Sequence, residues 1–267
     1  MADISCMKRY SLLLLAALCI SPAVSQDDLQ RYLPQDQLHW LSGNDDQRYL
    51  VLKKEYLQAF ERGQIVLIPD WHYHPLQSFY IRPVYENAPD FGWTTWALTP
   101  PENDIRTDNL QTPASATHFP EAADEEVFEP LVGALQQRMT LLLDETLSRP
   151  GFSVWVVEGI TADITLRLLE NDPSIMPDAI VLINAYVPQF QYNRALAGRI
   201  SQSQLPVLDI RSAESNQWIS KHWQLRKKLA SKYQHPAYRQ RQLINSGNAG
   251  QRELISTIKG WLEFHGF

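Results

Sequence analysis

Unbroken apolar runs alternate along this chain with apolar positions at helical spacing. Ile65-Val66-Leu67-Ile68, closed by Pro69-Asp70, has the pattern of a strand buried on both faces. A first strand is predicted before it over 49–52, and a polar, aromatic stretch leads from it to Gly92 and a strand over 93–98. Residues 100–123 are rich in Pro, Thr, Ala and Asn with little periodicity, which predicts a long loop or lid. Over 124–148 the positions Val127, Leu131, Leu135, Met139, Leu142 and Leu143 predict a long helix, with Asp124, Glu125 and Glu126 in the first turn, where the helix dipole favours acids. A strand over 154–157 and a helix carrying Ile164, Leu166, Leu168 and Leu169 follow. Strands are then predicted over 179–183, 206–210 and 238–244, alternating with helices over 194–200, 217–233 and 253–264.

Strands alternating with helices of this length require βαβ crossovers, hence a three-layer α/β sandwich with a mainly parallel central sheet. Ligands of such sheets bind beyond the carboxyl ends of the strands. Here those ends are Asp70, Thr99, Glu158, Ala185, Ser212 and Ser246.

Composition changes the picture mainly at the start of the chain. Lys8 and Arg9 precede an apolar run over 10–20, and Ala23-Val24-Ser25 puts small residues where a signal peptidase reads, predicting export with cleavage before Gln26. The run falls short of the roughly 20 apolar residues that cross a bilayer, so export is favoured over a membrane anchor. Met7 is an alternative initiator, and the bulky Leu18 before Cys19 fits poorly with a lipoprotein signal. Residues 26–267 are then read as one domain, which is long enough to bury a large core. Both cysteines, Cys6 and Cys19, fall inside the signal, so the exported form would fold without disulfides. Cleavage removes two of 24 basic and one of 30 acidic residues, taking the net charge from −6 to −7. That balance argues against nucleic acid as the partner.

The rhythm of strands and helices matches an α/β-hydrolase, whose nucleophile sits on a strained turn between a strand and a helix. The corresponding turn reads Glu158-Gly159-Ile160-Thr161-Ala162, and its central residue, Ile160, has no atom that attacks a carbonyl or passes a proton. Several segments carry a wider resemblance: Arg31-Tyr32-Leu33-Pro34, Val66-Leu67-Ile68-Pro69-Asp70 with His74-Pro75, Gly92-Trp93, Ile180-Val181-Leu182-Ile183-Asn184, Leu205-Pro206-Val207-Leu208-Asp209-Ile210, Tyr238-Arg239-Gln240 and Ile258-Lys259-Gly260-Trp261-Leu262. In this order they resemble a family of exported proteobacterial proteins in the α/β-hydrolase clan, domain of unknown function 3530. The resemblance implies the fold and no established activity. The family's turn is glycine-rich without a clear serine, and Glu158 and Ile160 depart from it further.

The other catalytic positions fare little better. The acid of an α/β-hydrolase follows a strand such as 206–210, which offers Asp209 or Glu214, although a carboxylate at the end of a buried strand more often bonds backbone. The histidine should follow the last strand, but Asn245-Ser246-Gly247-Asn248-Ala249-Gly250 contains none, and His235 and His265 stand elsewhere. An alternative site is Asp70-Trp71-His72-Tyr73-His74. If the strand ending at Asp70 neighbours the one ending at Glu158, then Asp70, His72, His74 and Glu158 form a candidate zinc or manganese set; the plainer reading is an ordinary loop. Glu158 has two readings as well: a buried carboxylic acid with a raised pKa, or a carboxylate held by N–H groups at the next helix start. Lys221, Arg226, Lys227, Lys228 and Lys232 make one helix basic, either a docking face or a solvated one. Trp71, Tyr73, Phe79, Tyr80, Trp93 and Trp96 are divided between pocket and core in the same way.

Three functions are therefore expected to compete. The first is a noncatalytic exported protein that binds a small ligand, a glycan or an envelope partner at the strand ends, with no cofactor. The second is an esterase-like hydrolase with displaced groups, such as Ser153, Thr161 or Ser246 assisted by His72 or His74. The third is a metal-dependent hydrolase built on the Asp70, His72 and His74 loop. Substrate, partner and oligomeric state are left open by the sequence.

Overall fold

The computed structural model describes residues 33–43, 48–71, 73–101, 125–146 and 148–267. The segment expected to be an export signal, His72 and nearly all of the 100–123 segment lie outside the described residues. By density of contacts, Asp36–Phe267 is one compact unit.

Eight strands form one sheet: β1 (Leu38–Ser42), β2 (Arg48–Lys54), β3 (Gly63–Ile68), β4 (Trp93–Leu98), β5 (Phe152–Glu158), β6 (Ala179–Ile183), β7 (Val207–Arg211) and β8 (Tyr238–Gln242). Their order is β1-β2-β4-β3-β5-β6-β7-β8, with the β1–β2 and β2–β4 pairings antiparallel and the other five parallel. β3, β4 and β6 are buried at every position, as expected for strands covered on both faces. The helices are α1 (Ile81–Asn87), α2 (Glu129–Thr146), α3 (Thr161–Asn171), α4 (Phe190–Gln202), α5 (Gln217–Lys221), α6 (Trp223–Lys232) and α7 (Gly247–His265).

On one face Leu135, Met139 and Leu142 of α2, Ile164 and Leu168 of α3 and Leu196 of α4 pack on Val66, Trp155, Val157, Ile180 and Leu182. Elsewhere α1 packs against β3, β4, β5 and α7. The fully buried Asp163 accepts from Arg167 at 2.8 Å and from Arg199 of α4 at 2.6 Å, which fixes the helix that follows β5.

Three elements differ from expectation. β1 precedes the strand expected first, over 49–52; its five residues with two polar positions carry little periodicity, and pairing with β2 makes it a strand. α1 is seven residues long and contains Pro83, so its start depends on Ser78, whose Oγ accepts the Tyr80 and Ile81 N–H groups at 3.2 and 2.9 Å. The helix expected over 217–233 is two helices broken at His222, whose buried ring lies 3.0 Å from Asn193 Nδ2. The basic face also loses a member, because Arg226 is fully buried and bonded to Asp209.

Candidate functional site

β5 delivers Glu158 to the carboxyl edge of the sheet, and three residues later α3 begins. The residue in the left-handed region of this turn is Gly159, with φ +65°. The expected central position, Ile160, is thus displaced by one residue; Ile160 is 3% exposed and belongs to the core. Only a residue without a Cβ takes this conformation freely, so the turn selects the glycine. In either register no nucleophile is present.

The space a side chain would occupy on Gly159 is already taken. A Cβ built there overlaps the carboxyl carbon of Asp70 and both its oxygens. Asp70 arrives from the loop after β3, the strand that pairs with β5 in parallel register. Its Oδ1 accepts two backbone N–H groups, from Trp71 at 2.8 Å and from Ile160 at 2.9 Å.

Glu158 returns the grip. Its Oε2 accepts from the Ser78 hydroxyl at 2.5 Å, and the Asp70 backbone N–H also donates to its carboxyl group. Burial, reinforced by the charge of Asp70, pushes the Glu158 carboxyl up to about 7, although both hydrogen bonds pull the other way. The structure follows the raised-carboxyl reading of this residue: the backbone N–H it accepts belongs to Asp70, whereas the Ile160 N–H at the next helix start donates to Asp70 instead. Tyr186, in the loop after β6, bonds Asp70, and its phenol is held far above the ordinary range by burial and by the charges of Asp70, Tyr73 and Glu158. Ser78 and Tyr186 had no sequence signal for the site. Ser78 was visible only as a cap three residues ahead of Ile81, and Tyr186 only as a residue just past a strand end.

The remaining candidates are dispersed. His74 Nδ1 accepts from Leu76 N–H at 3.2 Å, its Nε2 is buried without a partner among the described residues, and burial lowers its pKa to about 4. Among the described residues no three of His, Cys, Asp and Glu are grouped to hold a metal; the set with Asp70, His74 and Glu158 also called on His72, which lies outside them. Ser153 is at the start of β5, at the opposite end of the strand from Glu158, so it cannot assist there. Thr161 is fully buried, its hydroxyl unpartnered among the described residues, and Ala162 packs in the core beside it. Ser246 is exposed at the start of α7.

Asp209 is corrected as a catalytic acid. It is wholly buried within β7, bonded by Arg226 Nη1 at 3.0 Å and Tyr238 OH at 2.8 Å, with both oxygens spent inside the core. Glu214 is exposed in the following loop. After β8, where the histidine would stand, Glu253 binds the backbone of Ile244 and Asn245 at 3.1 and 2.9 Å and so closes the loop. His235 precedes β8 and stacks near Tyr238, and His265 ends α7 against Trp261.

A family model described as a protein of unknown function, DUF3530, matches residues 21–264. The chain belongs to the DUF3530 family. No curated protein sequence matches it significantly. Among solved structures, the esterase Est2 from Thermogutta terrifontis is similar with a TM-score of 0.59 and 12% identity, over 89% of this chain and 96% of that one. Est1E from Butyrivibrio proteoclasticus gives 0.57 and 8%, over 86% and 97%. Mouse alpha/beta hydrolase domain-containing protein 10 gives 0.54 and 12%, over 85% and 98%. This DUF3530 chain has the α/β-hydrolase fold.

In that fold the oxyanion of acyl transfer is held by the N–H after the nucleophile and by an N–H from the loop after β3. The equivalents in this DUF3530 protein are Ile160 and Trp71, and both already donate to Asp70. The Asp70 carboxylate thus occupies both N–H groups and the space a Gly159 side chain would take. Gly159→Ala should cost about 2 kcal/mol or more, since it adds left-handed strain to a clash with Asp70. In urea unfolding, Asp70→Gly in the same chain should recover the part due to the clash; equal losses with and without Asp70 would contradict the overlap.

Proposed function

We propose that this DUF3530 protein is exported and works as a noncatalytic member of the α/β-hydrolase fold, binding a small ligand, a glycan or another envelope protein at the carboxyl ends of the strands. The observation that carries this reading is the Asp70 carboxylate on the Trp71 and Ile160 N–H groups. A substrate carbonyl oxygen would have to displace it, and Gly159 brings no group to attack the carbonyl carbon. The missing histidine after β8 points the same way. What the strand ends offer instead are groups suited to recognition: the carboxyls of Asp70 and Glu158, the Tyr186 phenol, and Tyr73, which is 52% exposed. Export is supported by the charged and apolar pattern over residues 1–25. No helix among the described residues is long and apolar enough to cross a membrane. No cofactor enters this reading.

The direct test is intact mass of residues 26–267 after exposure to a reactive fluorophosphonate, alongside turnover of short and long esters. The expected result is no adduct and no turnover. A stoichiometric adduct with turnover would replace this reading with a hydrolase whose nucleophile is displaced. Metal analysis of untagged protein should return far less than one ion per chain, and one tightly held ion per chain would instead favour metal-dependent hydrolysis.

A further inference from the structure

A cleft of about 430 Å³ lies between the edge strand β8 and helix α7, a volume suited to a small ligand. Leu208 pairs with Arg239 and Ile210 with Arg241, so both arginines project on the face of the sheet that carries Leu208, and all of these but Ile210 line the cleft. Tyr238 and Gln240 alternate to the other face, where they reach Asp209. Arg239 and Arg241 are exposed, and among the described residues neither guanidinium has a hydrogen-bond or ion-pair partner. Two adjacent guanidiniums in this state suit a phosphate or carboxylate, which their planar forks bind bidentately.

The facing wall has the opposite chemistry. Trp261 presents a largely buried ring, with His265 stacked on it at 4.9 Å, and Phe264 is 78% exposed. Gly260 lines the cleft beside them in a 19-residue helix, and a Cβ there would meet nothing within 4 Å. Glycine weakens a helix interior relative to alanine, and no close approach requires it at this point. Its effect is to leave the wall open. Charged residues on an edge strand also discourage pairing with other chains. That accounts for the arginines but not for the open glycine and exposed phenylalanine opposite them.

We propose that this cleft binds a single-chain anionic amphiphile, its phosphate or carboxylate head held by Arg239 and Arg241 and its apolar body lying on Trp261 and Phe264 across Gly260. The site is separate from the strand ends and does not depend on the reading of the Asp70 turn.

Isothermal titration calorimetry of residues 26–267 with dodecyl phosphate, below its micelle concentration, tests this. Binding at one molecule per chain is expected, weakened about tenfold or more by the double substitution Arg239→Gln/Arg241→Gln at unchanged melting temperature. Gly260→Leu, which fills the cleft without touching charge, should weaken it comparably. Dodecanoate in place of dodecyl phosphate tells a carboxylate-preferring head site from a phosphate-preferring one, and binding of either supports the proposal. Absence of binding by both overturns it. So does parent-like affinity in the arginine variant, equal affinity for inorganic phosphate, or equal binding of dodecyltrimethylammonium.

Discussion

Arg226→Met is expected to destabilise the fold by about 3–5 kcal/mol, the usual result of stripping a buried charge of its partner. Arg226 and Asp209 are both fully buried, with Nη1 3.0 Å from Oδ1. The guanidinium also donates through Nη2 to the Ala185 carbonyl at 2.6 Å, so one side chain joins α6, β7 and the loop after β6. Removing it leaves Asp209 with only Tyr238 and the more distant Gln240 as donors. A carboxylate so placed must either stay charged in an apolar core or take up a proton, and either costs free energy. The pair as a whole is worth less than its rupture, because bringing two charges out of water offsets most of their attraction. Arg226→Met with Asp209→Leu should therefore recover most of the loss in urea unfolding. If the double variant is as unstable as the single one, the damage comes from the lost Ala185 bond and packing rather than from the stranded charge.

A second large effect is expected at Glu158, and it depends on pH. The carboxyl titrates near 7 in the fold, against 4.5 for an unperturbed glutamate. As pH rises through this interval the unfolded chain loses its proton first, so the folded state binds more protons and stability falls. The contribution is complete below 4.5, is lost as pH rises through 7, and amounts to about 3 kcal/mol. Glu158→Gln keeps an acceptor for the Ser78 hydroxyl and the Asp70 N–H but carries no charge at any pH. Relative to the parent it should gain about 3 kcal/mol in urea unfolding between pH 4 and pH 8. His74, lowered to about 4 by burial, acts in the opposite direction over part of this range. Because it is present in both proteins, the difference between them isolates Glu158. A difference that does not change with pH would mean that Glu158 titrates alike in the folded and unfolded chain, so that burial does not raise it.

That titration also bears on the proposed binding surface. Asp70 holds the Ile160 N–H and Glu158 holds the Asp70 N–H across the gap between the β3 loop and the β5 turn. Once Glu158 ionises, two carboxylates share that gap with the phenols of Tyr73 and Tyr186. Ligand affinity at the strand ends should consequently change around neutrality in the parent and not in Glu158→Gln.

The alternation of apolar runs and helical spacing was enough to place β2 to β8, four of the helices and the α5–α6 pair as one; burial on both faces leaves the inner strands few polar positions, although the edge strand β8 is mostly exposed. The missing histidine after β8 was equally legible, since a residue type absent from a loop needs no geometry to notice. β1 and α1 were not, because their stability comes from pairing with β2 and from the Ser78 cap rather than from any pattern of their own. The break at His222 depends likewise on Asn193, 29 residues earlier in the chain. At the turn, the sequence by itself determined that no nucleophile could be present. Only the tertiary structure decided that Gly159 is the left-handed residue and that Asp70, 90 residues before Ile160, accepts its N–H group. The physical reason is that hydrogen bonds to backbone N–H groups leave no trace in residue type: any chain has those donors, and only the parallel pairing of β3 with β5 brings this carboxylate to them.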